Sequence, residues 1–494
     1  MNKLIITLVL CILVLSSQVW AENTLTQTAF INEAISRNPS YQISAQEYLI
    51  ALESDKSVRS LEDWNLVVAG IWDEATPAPI STLSANYQRT MGYSVGLEKY
   101  IANSGTAIQI EHSNTRIDSQ YPPPITIPGI GTLDFNPPAK YYLSSISVTI
   151  VQPLLKNAFG LATKNALKMS DYSLKLAKIK LSEDWEDFIS LLRGEYLIWQ
   201  KCNKNVEYVK KQVETAEDQL TLTQKQQKYG LSEDLDVVQV QQKLEAYKIL
   251  LAQAKLACDT QTQKVSLLMG HAEVSIEAIK PEAFTPNEAG MDEITAGAYL
   301  VSLSNVKKTA DILVELQDIN LETKENAQLM DVSLVLSAQP NAYSEKFSET
   351  YSTLGEYRNN SFTITASRPL ANDEADAEAA KAKAEYKKAQ AEKEEILLSA
   401  KIGLSALYNN LNRLTEMVQL NENNLKLAQQ RLTLEKKKFN QGRSSVFFVL
   451  QAEDDLLKAE NNLNETVFAR EEIINQIKTL TDQYLVEYKD VLKL

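Results

Sequence analysis

Hydrophobic residues on either side of Gly230 recur at alternating spacings of three and four positions. Before the glycine, the stripe consists of Phe188, Leu192, Trp199, Cys202, Val206, Val209, Val213, Ala216 and Leu220. After it, the stripe consists of Val237, Val240, Leu244, Tyr247, Leu251, Ala254, Cys258, Val265 and Leu268. This spacing is typical of a coiled-coil seam. Because glycine readily ends a helix in the left-handed conformation, the pattern predicts a helical hairpin with arms over 161–229 and 232–269, the second capped by Ser232.

The same arrangement recurs around Gly442, with Ser444 or Ser445 as the N-cap of the returning helix. The seam before this second glycine consists of Leu397, Leu404, Leu407, Leu411, Leu414, Val418, Leu425, Ala428 and Leu432. The pattern predicts arms over 372–439 and 444–488. At about 1.5 Å per residue, the arm over 161–229 would be on the order of 100 Å long, which is far more than a globular domain needs.

Cys202 and Cys258 occupy facing positions of the first hairpin. In an antiparallel pair folded about Gly230, the numbers of facing residues have a constant sum, which the pair Val209 and Leu251 shares with the two cysteines. The sequence therefore predicts that the thiols lie opposite each other. Both a disulfide and two packed apolar thiols fit this position.

Several short segments alternate apolar and polar residues and predict β-strands at 65–72, 142–151, 331–339 and 361–367. A further pair, at 93–100 and 106–115, flanks Asn103, Ser104 and Gly105 and predicts an extra hairpin. The stretches 116–140, which is rich in proline, and 340–359 are predicted to be loops. Residues 24–61 and 292–326 have a helical periodicity, the first interrupted at Asn38 and Pro39.

The four strands have one apolar face and one face rich in hydroxyl groups, as strands of membrane barrels do. Ser145, Thr149, Thr363 and Thr365 would line water, and the opposite faces would contact outer-membrane lipid. Even the smallest barrels need about eight strands, so four per chain can close only if several copies assemble.

The chain is predicted to be a two-fold internal repeat. Pro153 and Pro369, each between a strand and a long helix, lie 216 positions apart, and Gly230 and Gly442 lie 212 apart. We therefore expect a first repeat over 22–280, including the extra hairpin, and a second over 281–494. Each would supply two barrel strands and a pair of long coiled-coil helices.

Residues 1–21 have the pattern of a secretory signal peptide, with Lys3, an apolar run and a small residue at Ala21. The net charge of −14 argues against nucleic acid as a partner. His112 and His271 lie far apart, and no metal-binding, phosphate-binding or catalytic motif accompanies them, so we expect neither a cofactor nor an enzyme.

The ordered set of motifs resembles the TolC family of outer-membrane efflux proteins over essentially the whole chain after residue 21. The resemblance is carried by SVTIVQPLL at 147–155 and TITASRPL at 363–370, by the turns YGLS at 229–232 and QGRS at 441–444, and by residues 34–39. It implies a homotrimer with a twelve-stranded β-barrel in the Gram-negative outer membrane, continued by a periplasmic α-helical tunnel. It also implies a periplasmic adaptor and an inner-membrane transporter as partners, in tripartite efflux or type I secretion.

The resemblance further assigns Tyr229, Gly230, Leu231, Gln441, Gly442 and Arg443 to the tip that contacts the adaptor. Paired aspartates constrict the tunnel entrance in family members. The matching positions of the second half are Phe448 and Gln451, and those of the first half are Asp236 and Gln239. The constriction is therefore expected to be partly apolar. Two interpretations stay open: Asp236 could serve the helix start instead of the lumen, and Phe447 and Phe448 could be packing residues and not a gate.

A secreted coiled-coil scaffold or adhesin without a pore is the alternative function. It would not require amphipathic strands at matching places in both halves. An exported hydrolase is disfavoured because the sequence offers no convergent catalytic set. The hydrophobic pattern therefore favours a passive exit channel.

Overall fold

The computed structural model describes residues 24–78, 84–271, 279–288 and 290–489, so the predicted signal peptide lies outside the described residues. The chain divides into two compact units, each built from separate segments. The helical unit comprises Met1–Gln46, Lys180–Lys307 and Leu397–Leu494. The sheet unit comprises Glu47–Ile179 and Lys308–Ile396.

The long helices predicted from the hydrophobic seams are present. The helices of the described residues are α1 Gln27–Arg37, α2 Pro39–Arg59, α3 Leu161–Lys228, α4 Asp234–Leu268, α5 Glu293–Ser302, α6 Asn305–Ala327, α7 Glu349–Ser352, α8 Asp373–Asn440, α9 Val446–Leu480 and α10 Gln483–Glu487. Both α3 and α8 have 68 residues, and both α4 and α9 have 35. Among the residues described, none of these helices is both long and apolar enough to span a membrane.

Three details of the helix prediction are wrong. The arm predicted over 444–488 does not continue as one helix, because α9 ends at Leu480 and the left-handed backbone of Asp482, with a φ of 52°, separates it from α10. The helix expected over 292–326 is interrupted, because Ser304 caps a new helix: its hydroxyl accepts a hydrogen bond from the Lys307 amide at 3.2 Å. Ser232 is not the N-cap of α4. That position belongs to Glu233, which forms a capping box with Asp236.

The seam of the first hairpin forms the core of the helical unit. Leu192, Trp199 and Ala216 are at most 1% exposed. The Trp199 indole donates a hydrogen bond to the Thr262 hydroxyl at 2.9 Å, which joins α3 to α4. A few turns nearer Gly230, Val209 and Leu244 pack with Leu457 of α9, so the second hairpin completes the same core.

The cysteines of the two arms lie opposite each other. A disulfide joins Cys202 to Cys258, with the Cα atoms 5.3 Å apart. The sequence separation of the bridge is 56 residues. It therefore closes a loop that contains the whole outer part of the hairpin, including the turn at Gly230.

The sheet unit contains one large antiparallel sheet. The strands of the described residues are β1 Thr24–Leu25, β2 Asn65–Ala75, β3 Tyr87–Ile101, β4 Thr106–Gln120, β5 Ile125–Ile127, β6 Gly131–Leu133, β7 Lys140–Pro153, β8 Lys280–Pro281, β9 Asp331–Ser344 and β10 Tyr357–Ser367. The large sheet has the order β10–β9–β7–β4–β3–β2, and every neighbouring pair is antiparallel. Elsewhere β5 pairs with β6, and in the helical unit β1 pairs with β8.

The first half of the chain supplies four strands to this sheet, whereas two were predicted. The extra hairpin, β3 and β4, lies inside the sheet between β2 and β7. The two predicted loops are also too long. Stretch 116–140 contains the end of β4 and the small β5–β6 hairpin, and stretch 340–359 contains α7 and the ends of two strands. Their polar residues extend the ladder because they pair across it, as Asp118 does with Lys140.

Two glycines hold the turn of the β3–β4 hairpin against the start of α3. Gly105 and Gly160 have φ values of 73° and 68°. A Cβ on Gly160 would lie 1.9 Å from the carbonyl oxygen of Ala102, so this contact admits only glycine. Nearby, the Tyr100 hydroxyl accepts hydrogen bonds from Asn157 Nδ2 at 3.1 Å and Thr163 Oγ1 at 3.0 Å.

Candidate functional site

The turn at Gly230 has the hydrogen bonds of a Schellman motif. The Gly230 amide donates to the Gln227 carbonyl at 2.9 Å, and the Leu231 amide donates to the Gln226 carbonyl at 2.9 Å. Gly230 has a φ of 69°, as this motif requires. Helix α3 therefore ends abruptly and the chain reverses within a few residues.

The turn at Gly442 repeats this geometry. The Gly442 amide donates to Phe439 and the Arg443 amide to Lys438, both at 2.9 Å, and Gly442 has a φ of 66°. The Ser444 hydroxyl donates to the Glu435 carboxylate at 3.0 Å, while Ser445 occupies the N-cap of α9. The two hairpins thus end in matching turns with different flanking side chains.

Both turns leave their tip side chains in solvent. Tyr229 is 81% exposed and Leu231 is 74% exposed in the described chain. Gln441 and Arg443 are exposed as well. An added Cβ at either glycine would meet no atom within 4 Å. Large exposed apolar side chains on such a tip are typical of a surface that another protein covers.

The predicted entrance positions have distinct surroundings. Asp236 accepts hydrogen bonds from the Glu233 amide and the Ser232 hydroxyl, both at 2.9 Å, so its carboxylate stabilises the start of α4. Gln239 is half-buried, and Gln451 is exposed. Phe448 is half exposed, and its ring lies 5.6 Å from that of Phe447. In the single chain, the two rings therefore contact each other without being enclosed in a core.

The large sheet has an apolar face that runs across five strands. Direct pairing of neighbouring strands forms one row of Leu66, Leu97, Ile110, Val148 and Ala338. Leu66 is 62% exposed and Leu97 is 41% exposed. Such a band of exposed apolar side chains would make a soluble protein prone to aggregate. It therefore indicates that this face of the sheet lies against an apolar environment.

The adjacent row lies on the opposite face, because side chains alternate along each strand. It consists of Asn65, Glu98, Gln109, Thr149, Ser337 and Ser361, and it crosses all six strands. Gln109 Nε2 donates to the Glu98 carboxylate at 3.2 Å, and the Thr149 and Ser337 hydroxyls are 3.5 Å apart. We call the two surfaces the apolar face and the polar face of the sheet.

A buried acidic cluster, which sequence analysis did not single out, lies in the helical unit. Glu186 is 2% exposed and accepts a hydrogen bond from the Tyr484 amide at 3.2 Å. Burial, followed by the nearby charge of Asp482, raises the pKa of Glu186 to about 9. Asp482 in turn accepts hydrogen bonds from the Tyr299 hydroxyl and the Asn305 amide, both at 2.9 Å. Within the described residues, no group of three or more His, Cys, Asp or Glu side chains could hold a metal ion.

Comparison with protein families gives a match to the family described as outer membrane efflux protein, over residues 330–481. This region contains β9, β10 and the complete second hairpin. No curated protein matches the chain.

Several solved outer-membrane channels have the same fold. CusC, described in terms of transmembrane channel formation, is 14% identical with a TM-score of 0.68, and the match covers 95% of each chain. VceC from Vibrio cholerae is 14% identical with a TM-score of 0.65, covering 92% of this chain and 96% of VceC. CmeC from Campylobacter jejuni is 12% identical with a TM-score of 0.63, covering 96% and 93% respectively.

The resemblance to the TolC family is thereby confirmed. The family match covers the second hairpin and its strands, and the shared fold extends over nearly the whole chain. Residues 330–481 therefore match the outer membrane efflux protein family, and the chain as a whole has the fold of the known outer-membrane channels.

Proposed function

We propose that three copies of this chain form a passive exit channel for a tripartite efflux system. Their sheets close a β-barrel in the outer membrane, and their long helices form a periplasmic tunnel. Substrates reach the tunnel from an inner-membrane transporter through a periplasmic adaptor. The channel performs no chemistry, since its task is to keep a water-filled path open across a lipid barrier.

The observation that carries this proposal is the pair of opposite rows in the sheet. The apolar row with Leu97 and Val148 suits lipid, and the polar row with Glu98 and Thr149 suits water. A pore-free coiled-coil scaffold would have no use for such a sheet. Backbone groups within a bilayer must all be hydrogen-bonded, which an antiparallel barrel achieves.

Neighbouring positions of β7 provide a matched test. Val148→Arg places a charge on the apolar face, at a cost of about 2–4 kcal/mol at mid-bilayer. Thr149→Arg places the same charge on the polar face. We expect only Val148→Arg to lower the amount of trimer in the outer-membrane fraction, measured by fractionation and by mass in detergent. A wild-type chain that is recovered as a water-soluble monomer would instead support the scaffold.

The two-fold repeat is supported by equal element lengths. Helices α3 and α8 match in length, as do α4 and α9, and both hairpins end in the same Schellman motif. In a trimer, two such hairpins per chain give twelve long helices around one axis. Residues 22–280 and 281–494 would then be two related wall segments.

We propose that the tips at Tyr229–Gly230–Leu231 and Gln441–Gly442–Arg443 bind the adaptor. Gly230→Trp and Gly442→Trp should abolish efflux while trimers persist, since nothing near the turns would clash with the new side chains. Gly129→Trp is the matched control, because Gly129 also has a positive φ, 86°, and open space but lies in the sheet unit. Wild-type efflux from both tip variants would refute the assignment.

We propose that Phe448 and Gln451, with Asp236 and Gln239, surround a partly apolar tunnel entrance. In this arrangement Asp236 mainly stabilises its helix and Phe448 narrows the opening. Phe448→Ala should therefore raise single-channel conductance, whereas Gln451→Ala should change it much less. An unchanged conductance in Phe448→Ala would remove Phe448 from the constriction.

A further inference from the structure

The extra hairpin is as long as the strands on which the channel proposal rests. Strands β3 and β4 each have 15 residues, and β7 and β9 each have 14. The hairpin lies in the middle of the sheet, paired with β2 on one side and β7 on the other. It is therefore a full-length part of the ladder, and it separates two strands that would otherwise be neighbours.

We propose that this hairpin is part of the membrane wall, so that each copy contributes six strands and three copies form an eighteen-stranded barrel instead of a twelve-stranded one. The inference rests on the proposed channel function. The resemblance to the family implies a barrel of twelve strands, whereas the order and pairing of the strands in this chain imply a barrel of eighteen.

Side-chain alternation in the hairpin supports its place in the wall. Leu97 and Ile110 continue the apolar row from Leu66 to Val148 without a break. On the other face, Glu98 and Gln109 continue the polar row. A hairpin that projected into water or folded over a loop would not need to match both neighbours on both faces.

The outer edges of the sheet fit a second copy of the same chain. In the described residues, the edge strands β2 and β10 have 11 residues each, and each is paired on one side only. Because the sheet has an even number of antiparallel strands, β2 and β10 run in opposite directions. The open edge of β10 can therefore form an antiparallel ladder with β2 of the next copy, and the same contact repeated three times closes a ring.

The additional strands change the pore. At fixed strand spacing, diameter grows roughly in proportion to strand number, so eighteen strands give a barrel about 1.5 times as wide as twelve. The hairpin also places Glu98 and Glu111 on the polar face, since Glu111 pairs with Ser147 one row away. Three copies would then add six carboxylates to the water-facing surface.

Two adjacent pairs of residues test the inference. Leu97→Cys and Glu98→Cys probe the two faces of the hairpin, and Val148→Cys and Thr149→Cys probe the same two rows in β7 as matched references. The disulfide occupies Cys202 and Cys258, and Cys11 lies in the predicted signal peptide, so each introduced thiol of the processed chain can be labelled alone. Each variant is labelled with an environment-sensitive fluorophore in trimers reconstituted into liposomes, and quenching by brominated lipid and by aqueous iodide is measured.

We expect fluorophores attached at positions 97 and 148 to be quenched equally by brominated lipid, and fluorophores attached at positions 98 and 149 to be quenched equally by iodide. If only the β7 pair shows this alternation and both hairpin positions are quenched by iodide, the hairpin lies outside the wall and the inference is overturned while the channel stands. If neither pair alternates, the channel proposal itself fails.

Disulfide trapping between edges gives a second readout. A cysteine at Val67 of β2, on the same face as Asn65, is combined in turn with one at Ser361, Thr363 or Thr365 of β10, so that the unknown register is scanned. Oxidation should link copies into covalent trimers for at least one combination. The control combines Val67→Cys with Gln109→Cys of the interior strand β4, on the same polar face, which should yield no linked copies. Absence of links in every edge combination, from intact trimers, would overturn the edge contact.

Discussion

Reduction of the Cys202–Cys258 disulfide should destabilise the folded protein, mainly because it increases the conformational entropy of the unfolded chain. The bridge joins α3 to α4 across a sequence separation of 56 residues. A cross-link that closes a loop of this size removes conformational entropy from the unfolded chain that corresponds to about 4 kcal/mol at 25 °C. The figure is an upper bound because long helices can persist locally in the reduced, unfolded chain.

The assay compares thermal unfolding of the purified protein, followed by circular dichroism at 222 nm, with and without reductant. Reduction should lower the unfolding midpoint of the wild type toward that of the double variant Cys202→Ala/Cys258→Ala. The double variant itself should not respond to reductant. After removal of the predicted signal peptide, which contains Cys11, thiol labelling of the unfolded chain should find two reactive thiols after reduction and none before.

Two results would contradict this reasoning. Reactive thiols in the absence of reductant would show that the bridge does not form. An unchanged midpoint, despite complete reduction, would show that loop closure in the unfolded chain does not set the stability of this hairpin.

Three further predictions concern single residues. Gly230→Ala should cost about 1 kcal/mol of unfolding free energy, because alanine is strained at positive φ but meets no neighbour; a cost near zero would argue against the left-handed turn. Glu186→Gln should stabilise the protein by up to about 3 kcal/mol at pH 7 and not at pH 4. Because the pKa of Glu186 is raised from its ordinary value of 4.5 to about 9, the folded wild type loses stability as the pH rises through this range, and the glutamine variant does not. Equal denaturation midpoints of the two proteins at pH 7 would contradict the raised pKa. Leu404→Ala, in the core formed with Leu300 and Ile474, should cost about 2–5 kcal/mol, measured by chemical denaturation, whereas Leu420→Ala at an exposed position of the same helix should cost far less.

The helical hairpins could be predicted from the sequence because their signals are local and repeated. The spacing of residues such as Trp199 and Val240 identified the buried stripe, and both are at most 1% exposed. Gly230 and Gly442 marked the turns because few residues other than glycine adopt the required conformation. The central residues of the strands could be predicted equally well, because alternation of apolar and polar residues over a few positions is sufficient.

The remaining features depend on contacts that sequence spacing does not reveal. The polar end of β4 looked like a loop, yet Asp118 extends the strand because Lys140 pairs with it. Ser232 and Glu233 are both able to cap a helix. Glu233 occupies the N-cap because Asp236 lies three positions after it and completes the capping box. The cluster around Glu186 joins residues almost 300 positions apart, through the hydrogen bond from Tyr484. No local pattern could have predicted that cluster.

The backbone contact between Gly105 and Gly160 also fixes the position of the β3–β4 hairpin along the strand direction. Because Ala102 leaves no space for a side chain at Gly160, the β3–β4 hairpin cannot slide along its neighbours relative to the start of α3. In the proposed barrel, each residue of slip would move the apolar row by about 3.3 Å along the strand axis and exchange its faces. In that barrel, two glycines at the end of the hairpin would set the height of Leu97 and Ile110, so a bilayer of a different thickness would have to change its own local thickness around this wall.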